Sequence, residues 1–173
     1  MFSLLADEIY KKTQSLIKKS GVNDPFIIAS DNNIMVRSSA DFTILKGLYT
    51  VIKRKRIIIL NANLPYEEQK LVCAHEIGHD ILHRDFAKNK ILHEYALYNI
   101  KEKIEYEANM FAADLLIDDS EIVELACVMR YNLSQISHML GQNQDIVKIK
   151  ISNMNLRGYK FNSDNTIKRN IFT

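Results

Sequence analysis

Apolar residues fall into two rhythms along this chain, and the change between them divides it. From Met1 to about Lys19 they recur at helical spacing around Leu4, Leu5, Ile9 and Leu16, which predicts an amphipathic helix ended by Gly21. Between Phe26 and Asn61 they bunch into short strand-like runs, among them Leu48-Tyr49-Thr50-Val51-Ile52 and Ile57-Ile58-Ile59-Leu60. Helical periodicity returns with Leu71, Val72, Ala74, Gly78, Ile81 and Leu82 and runs to about Arg84. Pro65 suits the first position of that helix, with Asn63 before it as a cap. A mixed stretch to Asn99 precedes another helix, whose buried stripe is Ile104, Ala108, Phe111, Ala112 and Leu115. Glu121 to Arg130 reads as a further helix, followed by two short ones joined at Gly141. Strands first and helices after predict an α+β fold with a small N-terminal sheet and a helical C-terminal half. The expectation is one domain over residues 1–173, with 120–173 a helical region packed on it.

Bulk properties narrow the classes of function. A hydrophobic fraction of 47% is that of an ordinary globular chain, and no apolar run is long enough to span a bilayer. The N-terminus lacks a basic segment and turns acidic at Asp7-Glu8, unlike a secretory signal. Cys73 and Cys127 are two unpatterned cysteines, which fits reduced thiols and a cytoplasmic protein. Cys73 precedes His75 on the same helix, yet a buried thiol is its expected role. A net charge of +2 gives no general affinity for nucleic acid.

The chemistry lies in His75-Glu76-Ile77-Gly78-His79. This H-E-x-x-H pentad points to a zinc-dependent hydrolase. Histidines four apart share one helix face, where both imidazoles can reach a single ion at about 2.0–2.1 Å. Glu76, one step round, can act as the base rather than as a ligand. Gly78 is unusual in mid-helix and leaves room for a backbone or a substrate to come close. A catalytic zinc site takes three protein ligands, so one more must come from elsewhere. His83 continues the series, but three turns of one straight helix, each rising about 6 Å, cannot converge on one ion. Asp85 stands where one zincin class has its last ligand, but that class needs glycine where Leu82 stands. His93 lies in a polar, poorly patterned stretch. The remaining source is a glutamate of the following helix. Glu105 is one turn from Asn109, an amide able to orient a histidine ring, and Glu107 reads as the more solvated of the two. Glu105 is therefore preferred.

His75-Glu76-Ile77-Gly78-His79 with Leu82-His83, then Glu105, Ala108-Asn109, Phe111-Ala112-Ala113 and Leu115-Leu116, resembles the ImmA/IrrE family of metallopeptidases. The lead-in Ile57-Ile58-Ile59-Leu60-Asn61 and Glu67-Glu68-Gln69-Lys70 is similar to that family's strand, short loop and active-site helix. The likeness spans about residues 45–120. It implies a zincin-like fold, zinc held by His75, His79 and Glu105, and Glu76 as catalytic base. One departure is Ile117-Asp118, where many members have Met-Pro; this touches the helix exit and not the metal. The size, without an appended DNA-reading module, is similar to the ImmA branch of mobile elements and prophages. That resemblance implies proteolysis of a helix-turn-helix repressor.

Other features carry weaker expectations. Lys53-Arg54-Lys55-Arg56 reads as a solvated hairpin tip, with a docking patch for an acidic partner as the alternative. Gly47 to Ile59 is the segment suited to binding an extended substrate by strand addition. Leu133 to Gly141 followed by Asp145 to Ile151 has the outline of a helix-turn-helix. Asp145 is unfavourable near phosphate, and direct DNA binding is not expected. His138 reads as a surface or core residue. Tyr49, Tyr95, Tyr106 and His93 are residue types able to stabilise an oxyanion. The expected function is thus a zinc endopeptidase acting on a repressor, against a zincin-like binding protein that sequesters a repressor without cutting it.

Overall fold

A computed structural model of the chain describes residues 2–88 and 97–161. The first helix, α1 (Phe2–Ser20), buries Ala6, Ile9 and Thr13 and stops at Gly21, whose φ of 73° is left-handed. A second helix, α2 (Pro25–Asp31), occupies the start of the stretch expected to be strand-like. The Asp24 side chain accepts from the N–H groups of Phe26 and Ile27, and Pro25 takes the first helical position. That cap and the preset proline φ outweigh the apolar run Phe26-Ile27-Ile28.

Three strands follow: β1 (Ile34–Ser39), β2 (Gly47–Ile52) and β3 (Lys55–Asn61). Their order is β1-β3-β2, with β1 parallel and β2 antiparallel to β3. Lys53 and Arg54, both at positive φ, close the β2–β3 hairpin in two residues. Strand alternation sets the inner face in rows: Ile34, Arg56 and Val51; Val36, Ile58 and Tyr49; Ser38, Leu60 and Gly47. Gly47 is needed there, because a Cβ would run into the Val72 side chain.

Helix α3 (Tyr66–Lys88) lies across that inner face. Pro65 immediately precedes it, and Asn63 does not cap it; the Asn63 amide instead donates to the Ala40 carbonyl at 3.1 Å. The helix runs past Arg84 but breaks its geometry at His83 (φ −128°, ψ 17°). Helix α4 (Leu97–Leu116) packs along α3 and buries the expected Ala108, Phe111, Ala112 and Leu115. The predicted helix 121–130 divides into α5 (Asp119–Val123), with an Asp118–Glu121 capping box, and a π-helical turn, Glu124–Val128. Helices α6 (Leu133–Leu140) and α7 (Gln144–Leu156) meet at Gly141, which is left-handed. The architecture is α+β, as the pattern predicts.

Two apolar clusters fill it. One lies between the sheet, α1, α3 and α4; the other gathers Ala113, Ile117, Ile122, Ile136, Val147 and Met154 from the C-terminal helices. Leu71, Leu116 and Ile149 touch both. A buried ionic cluster ties the C-terminal helices to α4. The Lys150 ammonium is fully buried, 2.8 Å from Asp114 and 2.7 Å from Asp119. Arg157 makes a two-pronged pair with Asp119 at 2.7 and 2.8 Å and stacks over the Tyr10 ring.

Candidate active site

The site depends on how closely α3 and α4 approach. A Cβ on Gly78 would stand 3.1 Å from the Ala108 Cα and 3.2 Å from its carbonyl oxygen. The glycine thus admits a neighbouring backbone, and the two helices meet between the turns that carry His75 and His79. One turn before Ala108, Glu105 faces both rings. Its Oε2 lies 3.2 Å from His75 Nε2 and 3.7 Å from His79 Nε2, and the two Nε2 atoms are 3.0 Å apart. Three ligands held tetrahedrally at about 2.0–2.1 Å from one ion stand roughly 3.3 Å from one another. The donor set therefore fits a small divalent cation in both type and spacing. Among the described residues, these three side chains form a group whose ligand atoms all lie within 4.8 Å.

Each ring is also held from behind. The His75 Nδ1 is 2.9 Å from the Asn109 amide oxygen, and the His79 Nδ1 is 3.4 Å from His83 Nδ1. His83 Nε2 in turn reaches Glu107 at 2.9 Å. Glu107 is therefore not the solvated residue expected: its side chain is only 12% exposed, against 46% for Glu105. The break in α3 at His83 is the physical reason, since it gives Glu107 a buried partner.

Electrostatics sort the carboxylates. Burial raises the Glu76 carboxyl above its ordinary value, while the two histidines and the backbone N–H of Tyr49 pull it back part of the way. Hydrogen bonds with His75 and His79 hold Glu105 well below the usual carboxylate range. Burial lowers His75, but its hydrogen bond with Glu105 and the charge of Glu76 more than offset this, and it titrates high. Burial lowers His83, against the pull of Glu107. Cys73 is fully buried, and its thiol is pushed up to about 12, as befits a packing residue.

On the inner side of α3, Asp80 is fully buried and saturated. It accepts from the Tyr49 hydroxyl at 2.6 Å, from Arg56 at 2.8 Å and from Arg84 at 2.9 Å. Arg56 also donates to the Asn32 carbonyl. The basic run is thus a hairpin tip only at Lys53 and Arg54; Arg56 turns inward. Alternation with Ile58 and Leu60 was the signal for that, as was an aspartate set among apolar residues beside His79.

A cleft of about 1140 Å³ opens over these groups. Its lining joins His75, Glu76, His79 and Glu105 to Leu45, Gly47 and Leu48 before and within β2, and to Asn143, Asp145, Ile146 and Ile149 of the α7 region. The α7 contribution was not anticipated. The same helix buries Ile146, Val147, Lys150, Asn153 and Met154 and leaves Gln144, Asp145, Lys148 and Ser152 exposed. His138 is exposed on α6. Of the oxyanion candidates, Tyr49 lines the cleft but gives its hydroxyl to Asp80, and Tyr106 does not line it. His93 and Tyr95, and the side chain of Asp85, lie outside the described residues. No helix among the described residues is long and apolar enough to cross a membrane.

A helix-borne pair of histidines facing a glutamate of the next helix, beside a small sheet and under an open cleft, defines a metallopeptidase class. The chain belongs to the M78 peptidase family, described as the IrrE N-terminal-like domain, which residues 29–152 match. It is 34% identical over 137 residues to an "uncharacterized immunity region protein 2" of Bacillus phage phi105, covering 79% of this chain and 85% of that protein. It is 27% identical over 145 residues to metallopeptidase ImmA of Bacillus subtilis strain 168, covering 83% and 84%. A solved structure of a Mycobacterium tuberculosis transcriptional regulator shares the fold, with a TM-score of 0.62 and 13% identity. That alignment covers 91% of this chain and 55% of the regulator, so this chain spans about half of that protein's length.

Proposed function

We propose that this protein is a zinc-dependent endopeptidase of the H-E-x-x-H type that cleaves a helix-turn-helix repressor of a mobile element or prophage. His75, His79 and Glu105 hold the zinc, and Glu76 is the general base. The supporting observation is the trio of ligand atoms at 3.0, 3.2 and 3.7 Å, close to the spacing of a tetrahedral zinc site. When bound, zinc supplies Lewis acidity, polarising a carbonyl and bringing the pKa of a water towards about 7. Glu76, buried beside that trio, accepts the water's proton on its carboxylate and delivers it to the leaving amine. The edge strand β2, which lines the cleft beside Glu76, suits an extended stretch of substrate. Residues 1–173 would act as one peptidase domain in the cytoplasm.

The relatives support the choice of substrate: one is named for a phage immunity region and the other is a metallopeptidase. Co-expression with a candidate repressor tests it. The wild-type protein should cut the repressor, and Glu76→Gln should keep zinc while losing about 10²–10⁴-fold or more in cleavage rate. A Glu76→Gln protein that silences the repressor as well as the wild type does would show sequestration instead.

A further inference from the structure

The two candidate ligand histidines are oriented by different means, and the second is the less ordinary. Behind His75 stands an amide: the Asn109 oxygen accepts from Nδ1–H, so the neutral ring keeps its lone pair on Nε2. Behind His79 stands another imidazole, which could donate or accept, and which by itself fixes nothing. Glu107 removes the ambiguity. Its carboxylate can only accept, so His83 Nε2 at 2.9 Å carries the proton. The Nδ1 of neutral His83 is then a bare acceptor. It can only receive the Nδ1–H of His79, which leaves the His79 Nε2 lone pair facing His75 and Glu105.

We propose that Glu107 and His83 form a positioning chain that selects the metal-binding tautomer of His79. This inference rests on the metal site proposed above. The geometry carries it in three ways. The break in α3 falls at His83, and the His79 and His83 rings stand 5.5 Å apart at 55°. The His83–Glu107 pair is largely shielded, with side chains 6% and 12% exposed, so water has little access to it. Lys103, 3.6 Å from the other Glu107 oxygen, holds the carboxylate from the solvent side. The reversed chain would turn an Nε2–H of His79 into the site and leave one ligand short. Neither His83 nor Glu107 belongs to the converging trio His75, His79 and Glu105; both act through His79.

Zinc affinity, measured by competition with a chromophoric chelator, tests the chain without any peptidase assay. Long-range proton–nitrogen spectra of the histidine rings report the tautomer directly. Glu107→Ala and His83→Phe should each weaken zinc binding by about 10–100-fold. Glu107→Gln, whose amide oxygen can still accept from His83, should recover most of that loss. In the zinc-free wild type, the neutral His79 ring should be the Nδ1–H form, read at a pH high enough to deprotonate the imidazolium, and Glu107→Ala should populate the Nε2–H form. His75→Ala is the control for losing a ligand. Should His83→Phe fail to fold, the two Glu107 variants decide the matter alone. Wild-type zinc binding with Glu107→Ala within about twofold, or an unchanged His79 tautomer in that variant, would overturn the chain and leave the site standing. A wild type that binds zinc no better than His75→Ala would remove the site and the chain together.

Discussion

Helix α4 carries one charged cluster at its middle and another near its C-terminal end, and the two are built on opposite plans. Around Asp114, two cations and two carboxylates from α4, α5, α7 and the residue after α7 are matched within 2.7–2.8 Å, and every charge has an opposite. Around Glu105, nine residues earlier, a carboxylate and two imidazole nitrogens turn to one point, with no cationic Lys or Arg side chain among them. The first arrangement satisfies itself and serves cohesion. The second holds itself together only through protons shared between the imidazoles and Glu105, and those protons are what a bound cation would replace. The contrast separates an ion cluster that balances its own charges from a donor set with room for a cation.

That contrast can be broken by substitution. The largest loss of stability should come from Lys150→Met, which leaves buried Asp114 without its ammonium partner. Urea denaturation should show a cost of about 3–5 kcal/mol, with zinc affinity at low denaturant little changed. Next is Tyr49→Phe, which takes a donor from buried Asp80 and should cost about 1.5–3 kcal/mol at neutral pH. Its pH dependence has a definite sign. Burial and the Asp80 hydrogen bond raise the Tyr49 hydroxyl above its ordinary value. Stability from that hydroxyl is therefore complete below about pH 10 and falls as pH rises beyond it, where the unfolded tyrosine ionises first. The gap between wild type and Tyr49→Phe should narrow across that range, and a constant gap would contradict the assignment. Gly78→Ala should cost about 1–3 kcal/mol, because its new methyl meets α4 backbone and not a movable side chain. It should also weaken zinc binding, since Glu105 moves with α4. The smallest effect on the metal-free protein belongs to His79→Ala. It should cost about 1 kcal/mol or less, the worth of its pairing with the half-exposed Glu105 carboxylate, while metal binding is lost. A destabilisation comparable to that of Lys150→Met would erase the distinction between the two clusters.

How much of this could be read from the chain follows the range of each interaction. The two histidines and Glu76 were legible because helical spacing alone puts them on one turn and its neighbour. Glu105 was legible through its one-turn spacing from Asn109 on a strongly patterned helix. Glu107 was misjudged because its burial depends on the break at His83, and no proline or glycine marks that break. Helix α2 was hidden by an apolar run, although Asp24-Pro25 announces it. The contribution of Asn143, Asp145, Ile146 and Ile149 to the cleft was beyond reach, because it depends on how α7 packs against α4. Arg56 lay between these extremes: its inward direction follows from alternation, but its partner Asp80 does not.

The two-residue hairpin tip at Lys53 and Arg54 acts as a length gauge for the chemistry. It fixes which β2 residue faces α3, and hence that the Tyr49 hydroxyl meets Asp80, one helical turn from Glu76. One extra residue inserted there would slide β2 by a step of about 3.3 Å and turn its inward side chains outward. A lesion at the far tip of the sheet would thus break the Tyr49–Asp80 contact with every residue of the cleft unchanged.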